Sequence, residues 1–187
     1  MSEEKRKRLI GLVVGEVSGD ALGGKLVSAL RARFPQDHLD FIGTGGPALS
    51  AQGMVSLFPL SDIAVMGIVP VLKKLPSLLN RIQQTADALI AAKPDCLIII
   101  DSPDFTHRVA RKVKAALPHL PIINYVSPWG WAWRPGRAKK MRAYIDHVLA
   151  LLPFEPQAHQ RLGGPPCTYV GHPLIERLNE LHPSDID

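Results

Sequence analysis

The chain alternates short apolar segments with longer amphipathic ones along most of its length. The apolar segments predict strands at 9–14, 39–42, 96–100, 122–126, 147–151 and 168–170. Most of them are continuous apolar runs rather than alternating ones, which is typical of strands covered on both faces. Such strands, separated by amphipathic helices, predict an α/β fold with a Rossmann-like parallel sheet and helices on both faces.

The amphipathic segments carry their apolar side chains at the spacing of one helix face. They predict helices at 21–34, 78–92 and 106–116. Pro35 ends the first helix, and the prolines that crowd the chain after residue 152 indicate turns rather than another regular layer. A length of 187 residues suits one full α/β domain, so residues 1–187 are predicted to form a single domain.

Composition is that of an ordinary globular protein. Hydrophobic residues make up 46% and charged residues 21%, which argues against disorder, collagen and coiled coils. The net charge of +5 is too small for a dedicated nucleic-acid groove, so no nucleic-acid partner is expected. Cys96 and Cys167 lie far apart without a metal-binding pattern, which implies neither a disulfide framework nor a zinc cluster and favours a reducing compartment. We expect a cytoplasmic protein with no metal site and no cofactor. The longest apolar stretch, 63–72, is about half the roughly 20 residues of a membrane-spanning helix.

The segment 15–20 directly follows the first predicted strand. Ligands of open parallel sheets bind beyond the carboxyl ends of the strands, where a glycine-rich turn lets backbone N–H groups approach them. The segment matches neither the dinucleotide fingerprint nor the P-loop, so it gives no support to either nucleotide site. It is either a ligand-binding turn or a simple tight turn in which Ser18 or Asp20 caps the next helix.

A second polar segment, 101–105, follows the buried strand at 96–100 and should reach the same edge of the sheet. Asp101 and Asp104 fit a role as caps of the next helix, with Pro103 stiffening the loop. Asp101 equally fits a general base, since a carboxylate within hydrogen-bond reach of a hydroxyl can take its proton.

Two further segments have unusual composition. All three tryptophans lie within 129–133, and basic residues follow them, which predicts either a sugar- and phosphate-binding patch or a packed aromatic loop beside a solvated helix. The apolar segment 63–76 is interrupted by Gly67 and Pro70 and is therefore a poor core helix. It ends in a pair of lysines, so it fits either an anionic membrane surface or a buried connection with outward-pointing lysines.

Eight short motifs occur in order between residues 15 and 174. They are Gly15-Glu16-x-Ser18-Gly19-Asp20, Gly45-Gly46-Pro47, Ala64-Val65-Met66-Gly67, Asp101-x-Pro103-Asp104-Phe105, Tyr125-Val126-Ser127-Pro128, Trp131-Ala132-Trp133-Arg134 with Arg137, Leu152-Pro153-Phe154-Glu155 and Val170-Gly171-His172-Pro173-Leu174. Together they resemble the N-terminal half of the lipid-A-disaccharide synthases, a family of membrane-associated bacterial glycosyltransferases.

The resemblance implies the N-terminal, acceptor-side domain of a B-type glycosyltransferase, with the C-terminal nucleotide-binding domain absent from this chain. Enzymes of this family transfer a diacylglucosamine unit from its UDP-sugar to the 6-hydroxyl of diacylglucosamine 1-phosphate. The anomeric centre is inverted, and lipid A disaccharide and UDP are formed. The implied location is the cytoplasmic face of the inner membrane, with peripheral attachment, and the fragment alone is expected to be inactive.

The resemblance also assigns roles to residues. Asp101 corresponds to the catalytic base. The implied substrate-binding residues are Glu16, Ser18, Gly19, Asp20, Arg134 and Arg137, the two arginines facing the acceptor phosphate. The implied membrane contacts are Val65, Met66, Ile68 and Leu72. Thr106 departs from the family, which usually has Asn there. An alternative of another class is a non-catalytic peripheral-membrane or partner-binding module built on the same sheet.

Overall fold

The computed structural model describes residues 7–63, 68–128, 136–173 and 175, and describes no side chains at 68–74. The strands are β1 (Lys7–Val14), β2 (His38–Thr44), β3 (Cys96–Ile100), β4 (Ile122–Tyr125), β5 (His147–Ala150) and β6 (Cys167–Tyr169). The helices are α1 (Val17–Arg33), α2 (Pro47–Ala51), α3 (Ile68–Ala92), α4 (Pro103–Ala116), α5 (Gly136–Met141) and α6 (Glu155–Arg161), with a 3₁₀ turn at Leu60–Asp62.

All six strands of the described part of the chain join one parallel sheet in the order β2-β1-β3-β4-β5-β6. This result confirms the predicted Rossmann-like α/β fold. The order reverses between β1 and β3, because the chain moves outward to β2 and then returns past β1. In open α/β sheets such a reversal opens a crevice at the carboxyl ends of the strands, where ligands bind.

The core lies on both faces of the central strands. In β1, Leu12, Val13 and Val14 have no solvent exposure, and Ile99 and Ile100 of β3 are equally buried. Burial on both faces explains why these strands read as continuous apolar runs. Each such side chain contributes on the order of 1.5–3 kcal/mol relative to an exposed one, so the strongest part of the fold holds the two strand ends that form the crevice.

Helix α3 corrects one expectation. The predicted helix spans 78–92, but the backbone is already helical from Ile68, so α3 includes Pro70 and Pro76 of the segment interpreted as a poor core helix. Pro70 falls in the first turn, where a missing N–H loses no intrahelical hydrogen bond. No helix in the described ranges is long and apolar enough to cross a membrane.

The starting points of three other helices also differ from the sequence analysis. α1 begins at Val17 and α4 at Pro103, so both begin inside segments interpreted as turns. The prolines after residue 152 were interpreted as turns rather than another regular layer, but α6 forms among them. Pro156 lies in its first turn, which tolerates proline.

Candidate functional site

The ends of β1 and β3 bring Glu16, Ser18 and Asp101 together. Val14 pairs with Ile100 in the sheet register, so the residues that follow each strand leave the sheet at the same level. The Ser18 hydroxyl lies 2.9 Å from Glu16 Oε1 and 3.3 Å from Asp101 Oδ2. The two carboxyl groups therefore flank one hydroxyl at the crevice where the strand order reverses.

Two glycines allow this close approach of the turn to β3 and the loop after it. A Cβ atom at Gly15 would lie 2.3 Å from Ser102 Oγ, well inside contact distance. A Cβ atom at Gly19 would lie 3.2 Å from the carbonyl oxygen of Ile100. The glycines of the turn are thus required by packing against the Asp101 loop, and Gly19, a predicted substrate-binding residue, is buried at that contact.

The Asp101 backbone is held in an uncommon conformation. Its φ angle is 53° and that of Ser102 is 43°, two successive non-glycine residues in the left-handed region. The Asp101 N–H donates to the Tyr125 carbonyl at 3.2 Å, and the Thr106 hydroxyl donates to the Asp101 carbonyl at 2.6 Å. Thr106, where the family usually has Asn, therefore clamps this loop. Strained backbone of this kind concentrates at functional sites.

The alternative role of Asp101 as a helix cap is not what the structure shows. Ser102 is the N-cap residue of α4, and no side chain hydrogen-bonds to cap that helix. Asp101 Oδ1 instead accepts the Ser102 N–H at 2.8 Å. Its other oxygen, Oδ2, faces Ser18. The side chain is partly exposed, so a substrate hydroxyl can reach it.

Glu16 is electrostatically linked to Asp101. A hydrogen bond with Asp101 raises the pKa of Glu16 above its usual value, and burial and the Asp101 charge add to the increase, whereas the Ser18 hydrogen bond opposes it. Glu16 therefore retains a proton at a pH at which an isolated glutamate has lost it. A protonated Glu16 can donate a hydrogen bond to the Asp101 carboxylate.

Asp20 lies beneath this site rather than in its opening. Its side chain is 3% exposed, and its carboxylate accepts the backbone N–H groups of Gly46 at 2.7 Å, Ala48 at 2.8 Å and Leu49 at 3.2 Å. Asp20 was predicted to cap the helix that follows the first strand, which is α1. It lies within α1 and caps α2 instead. Its predicted substrate contact stays a prediction, and the geometry gives Asp20 a positioning role.

The predicted basic patch is described in part. Arg137 lies at the start of α5 and, with Asp104 and Arg108, lines a cavity of about 180 Å³ between α4 and α5. Arg134 and the three tryptophans lie outside the described residues. Pro103 and Asp104 also line the cavity, so it extends to the start of the helix that follows the Asp101 loop.

The predicted membrane contacts fall where little is described. Val65 and Met66 lie outside the described residues, and Ile68 and Leu72 belong to the backbone of α3 while their side chains are not described. On the following turns of α3, Leu75 and Leu79 are 38% and 45% exposed. Apolar side chains are therefore accessible on the helix that follows the predicted contact segment.

Sequence reasoning missed a buried polar group behind the cavity. His107 Nδ1 lies 3.0 Å from the Tyr144 hydroxyl, and the Arg111 guanidinium donates to that hydroxyl at 3.2 Å. Both rings are 6% exposed. The available signal was the pair of basic residues Arg108 and Arg111, spaced three apart on one face of α4. No group of three or more potential metal ligands occurs within the described ranges.

Comparison with known proteins adds the following. A sequence model of the lipid-A-disaccharide synthetase family matches residues 10–186. The lipid-A-disaccharide synthase of Nitrobacter hamburgensis is 60% identical over 176 residues, which are 94% of this chain and 44% of that protein. That of Rhodopseudomonas palustris strain HaA2 is 59% identical over 177 residues, 95% of this chain and 45% of that protein. The chain thus spans less than half the length of these curated relatives.

Among solved structures, the chain is similar to the crystal structure of Acinetobacter baumannii MurG, with 13% identity and a TM-score of 0.47 over 78% of this chain and 42% of that one. That likeness is too distant to bear on the site. The sequence matches are much stronger, since they extend from the first strand to the end of the chain and reach 60% identity. By these matches, the chain belongs to the lipid-A-disaccharide synthase family.

Proposed function

We propose that this chain is the acceptor-side half of an inverting glycosyltransferase. The proposed reaction transfers a diacylglucosamine unit from its UDP-sugar to the 6-hydroxyl of diacylglucosamine 1-phosphate, yielding lipid A disaccharide and UDP. The supporting observation is the pairing of Asp101 with Glu16 and Ser18 at the reversal point of the sheet. Family membership supports the substrate class.

Asp101 acts as the general base in this proposal. Its Oδ2 takes the proton of the acceptor 6-hydroxyl while the hydroxyl oxygen attacks the anomeric carbon of the donor. The bond from that carbon to the UDP oxygen breaks on the opposite face, which inverts the centre, and UDP leaves with the bonding electron pair. Glu16 and Ser18 orient Asp101, and the backbone around Gly19 borders the acceptor sugar.

The nucleotide site is proposed to lie in a second domain outside this chain. The turn after β1 lacks a nucleotide-binding motif, and the relatives are more than twice as long as the matched region. Titration with UDP should therefore give little heat with this chain alone and saturable binding with a full-length family member. Tight UDP binding by the 187-residue chain would contradict this division of labour.

Peripheral attachment to the cytoplasmic face of the inner membrane is part of the same proposal. Val65, Met66, Ile68 and Leu72 are the proposed contacts, and the exposed Leu75 and Leu79 continue an apolar surface along α3. Partial insertion of such a surface would let the acyl chains of both substrates remain in lipid while their sugars reach Asp101. Sedimentation with vesicles tests this: replacing Leu75 and Leu79 by Ser should weaken association, whereas Val55→Ser, at a still more exposed apolar residue elsewhere, should not.

The alternative, a non-catalytic binding module, gives no reason for a carboxyl pair held by strained backbone. Replacing Asp101 by Asn in a full-length family member with this site separates the two possibilities. Loss of a general base should lower kcat about 10²–10⁴-fold with little change in the melting temperature. Asp87→Asn, on the exposed face of α3, is the matched control and should keep normal turnover. Turnover within a factor of two of the parent in Asp101→Asn would remove Asp101 from the mechanism.

A further inference from the structure

The cavity between α4 and α5 is strongly cationic. Arg108 and Arg111 line it from α4, and Arg137 and Lys140 line it from α5. Asp104 is the one carboxylate among the described residues that line it. Its volume of about 180 Å³ is several times the ~30 Å³ share of one water molecule in the liquid. The space is therefore large enough for an anionic group with its first hydration partners.

These cations are not neutralised by the described part of the protein. The ion pairs of the described residues involve other basic groups, such as Lys114 with Asp146 and Arg81 with Asp62. By contrast, no described carboxylate lies within 4 Å of the charged groups of Arg108, Arg137 or Lys140. Four like charges converging on one concavity repel each other, and a bound anion relieves that repulsion.

Arg111 is held in place from behind. Its guanidinium carbon lies 4.7 Å from the centre of the Tyr144 ring, and its Nη2 donates to the Tyr144 hydroxyl. Arginine can only donate, so the Tyr144 hydroxyl oxygen accepts from Arg111, and the same hydroxyl lies 3.0 Å from His107 Nδ1. The buried pair thus orients the guanidinium fork of this exposed arginine at the cavity.

We infer that the cavity between α4 and α5 is the phosphate subsite of the acceptor, formed by Arg108, Arg111, Arg137 and Lys140. This inference rests on the proposed function, which by itself assigns the acceptor phosphate only to Arg134 and Arg137. A phosphate monoester presents three oxygens, and guanidinium forks bind such oxygens in pairs. Two of the added residues, Arg108 and Arg111, lie on α4. Recognition of the phosphate therefore depends on the helix that begins directly after the Asp101 loop.

The position of the cavity fits one hexose ring. Asp104, beside the Asp101 loop, and Arg108 lie one helical turn apart on α4, which is about 6 Å along the axis. In a hexose 1-phosphate, the carbon that carries the phosphate and the carbon that carries the 6-hydroxymethyl group both flank the ring oxygen, so the two groups project from the same edge of one ring. A sugar whose 6-hydroxyl meets Asp101 would then hold its phosphate within one sugar length of that carboxylate, where we expect it to meet Arg108 and Arg137. The same cations would not contact an acceptor that lacks the phosphate.

Calorimetric titration of this chain with glucosamine 1-phosphate tests the inference. The expected result is saturable binding that weakens about tenfold or more in Arg108→Gln and in Arg137→Gln, because each loses a charge-assisted contact. Glucosamine without phosphate should bind at least tenfold more weakly, and inorganic phosphate should compete. The matched control is Lys139→Gln, which removes an exposed charge on α5 outside the cavity and should change affinity less than twofold.

The variants at Arg111 guard against a folding artefact. Arg111→Gln removes the stacking on Tyr144 and should be judged beside Arg111→Lys, which keeps the charge but loses the fork. Both should bind glucosamine 1-phosphate less tightly than the parent, provided that the melting curve shows a folded protein. If folded Arg111→Lys and Arg108→Gln both bind glucosamine 1-phosphate as tightly as the parent, the assignment of the cavity is wrong.

Two further outcomes separate the sources of phosphate and the two proposals. Vesicles that contain phosphatidylglycerol should bind Arg108→Gln as well as the parent. If instead that variant loses vesicle binding while glucosamine 1-phosphate does not bind the parent, the cavity recognises lipid headgroups and the inference fails. If Asp101→Asn keeps full turnover while the cavity binds glucosamine 1-phosphate as expected, the proposed base fails and the phosphate subsite stands.

Discussion

Ser18 Oγ lies 3.3 Å from Asp101 Oδ2, although 83 residues of sequence separate them. The contact joins the turn after β1 to the loop after β3 across the point where the strand order reverses. Ser18 Oγ also lies 2.9 Å from Glu16 Oε1. Its single proton can therefore be donated to either carboxyl group. A change at Ser18 or at Asp101 should therefore alter the ionisation of Glu16.

The pKa of Glu16 should move in opposite directions in two variants. Asp101→Asn should lower it, because the hydrogen bond and charge of Asp101 raise it in the parent. Ser18→Ala should raise it further, because the Ser18 hydrogen bond favours the ionised carboxylate. Side-chain ¹³C NMR titration measures both shifts, with Ser50→Ala on the exposed face of α2 as the control that leaves Glu16 unchanged. Shifts of the same sign in the two site variants would contradict the coupling.

Much of the sheet was predictable because its strands are buried on both faces. The segments 96–100 and 122–126 agree with β3 and β4 within one residue, since continuous apolar runs bounded by turn residues leave few alternatives. The short helices were not predictable. α2 and α5 have five and six residues, which is too short for a 3.6-residue period to emerge from the sequence.

The candidate site was predictable only as far as it depends on topology. Parallel strands deliver their carboxyl ends to one edge, which placed Glu16 and Asp101 together. The capping of α2 by Asp20 and the pairing of His107 with Tyr144 depend on tertiary contacts across 26 to 37 residues. No local pattern encodes such contacts, because an aspartate after a glycine or a histidine in a helix has many possible partners.

Gly15→Ala should destabilise the protein by displacing the Asp101 loop. The added Cβ would lie 2.3 Å from Ser102 Oγ and 2.5 Å from Ser102 Cβ, so one of the two turns has to move. Overpacking of this kind costs about 1–3 kcal/mol, which urea unfolding would detect. Gly136→Ala is the control, since no atom of the residues that the structure describes lies within 4 Å of its added Cβ.

A second substitution at Ser102 should restore the stability that Gly15→Ala loses. Ser102→Gly removes both clashing atoms and suits the φ angle of 43° at that position. The double variant should therefore recover most of the stability that Gly15→Ala loses. If the two changes are simply additive, contact with Ser102 is not the reason for glycine at position 15.

Asp20→Ala should destabilise the region around α2. The change leaves the N–H groups of Gly46, Ala48 and Leu49 without their acceptor in a buried position, at a cost of about 2–3 kcal/mol. Asp20→Asn keeps one acceptor oxygen and should lose less. Asp87→Ala, an exposed aspartate on α3, should change the free energy of unfolding by less than about 0.5 kcal/mol. Hydrogen exchange should show the loss first at Ala48 and Leu49, and uniform protection there in Asp20→Ala would contradict the cap.

His107 should make the protein less stable as the pH falls. Burial lowers its pKa to about 4, and the charges of Arg111 and Arg137 add to the decrease. Between the unfolded pKa near 6.5 and the folded value, the unfolded chain binds a proton that the native protein does not, so stability is full above about pH 6.5 and is lost toward pH 4. The loss from this residue is on the order of 3 kcal/mol over that range.

His107→Asn isolates that contribution, because the Asn amide can still hydrogen-bond to the Tyr144 hydroxyl but does not titrate. Urea unfolding at pH 7, 5.5 and 4 should show a shallower decline in the variant than in the parent. The decline should not vanish, since burial also lowers the pKa of His159. The exposed His119, replaced by Asn, is the control and should leave the slope unchanged. If the free energy of unfolding declines equally with pH in His107→Asn and in the parent, the buried histidine does not set the acid sensitivity. The contact of Tyr144 with Arg111 at the cavity would then be independent of pH in this range.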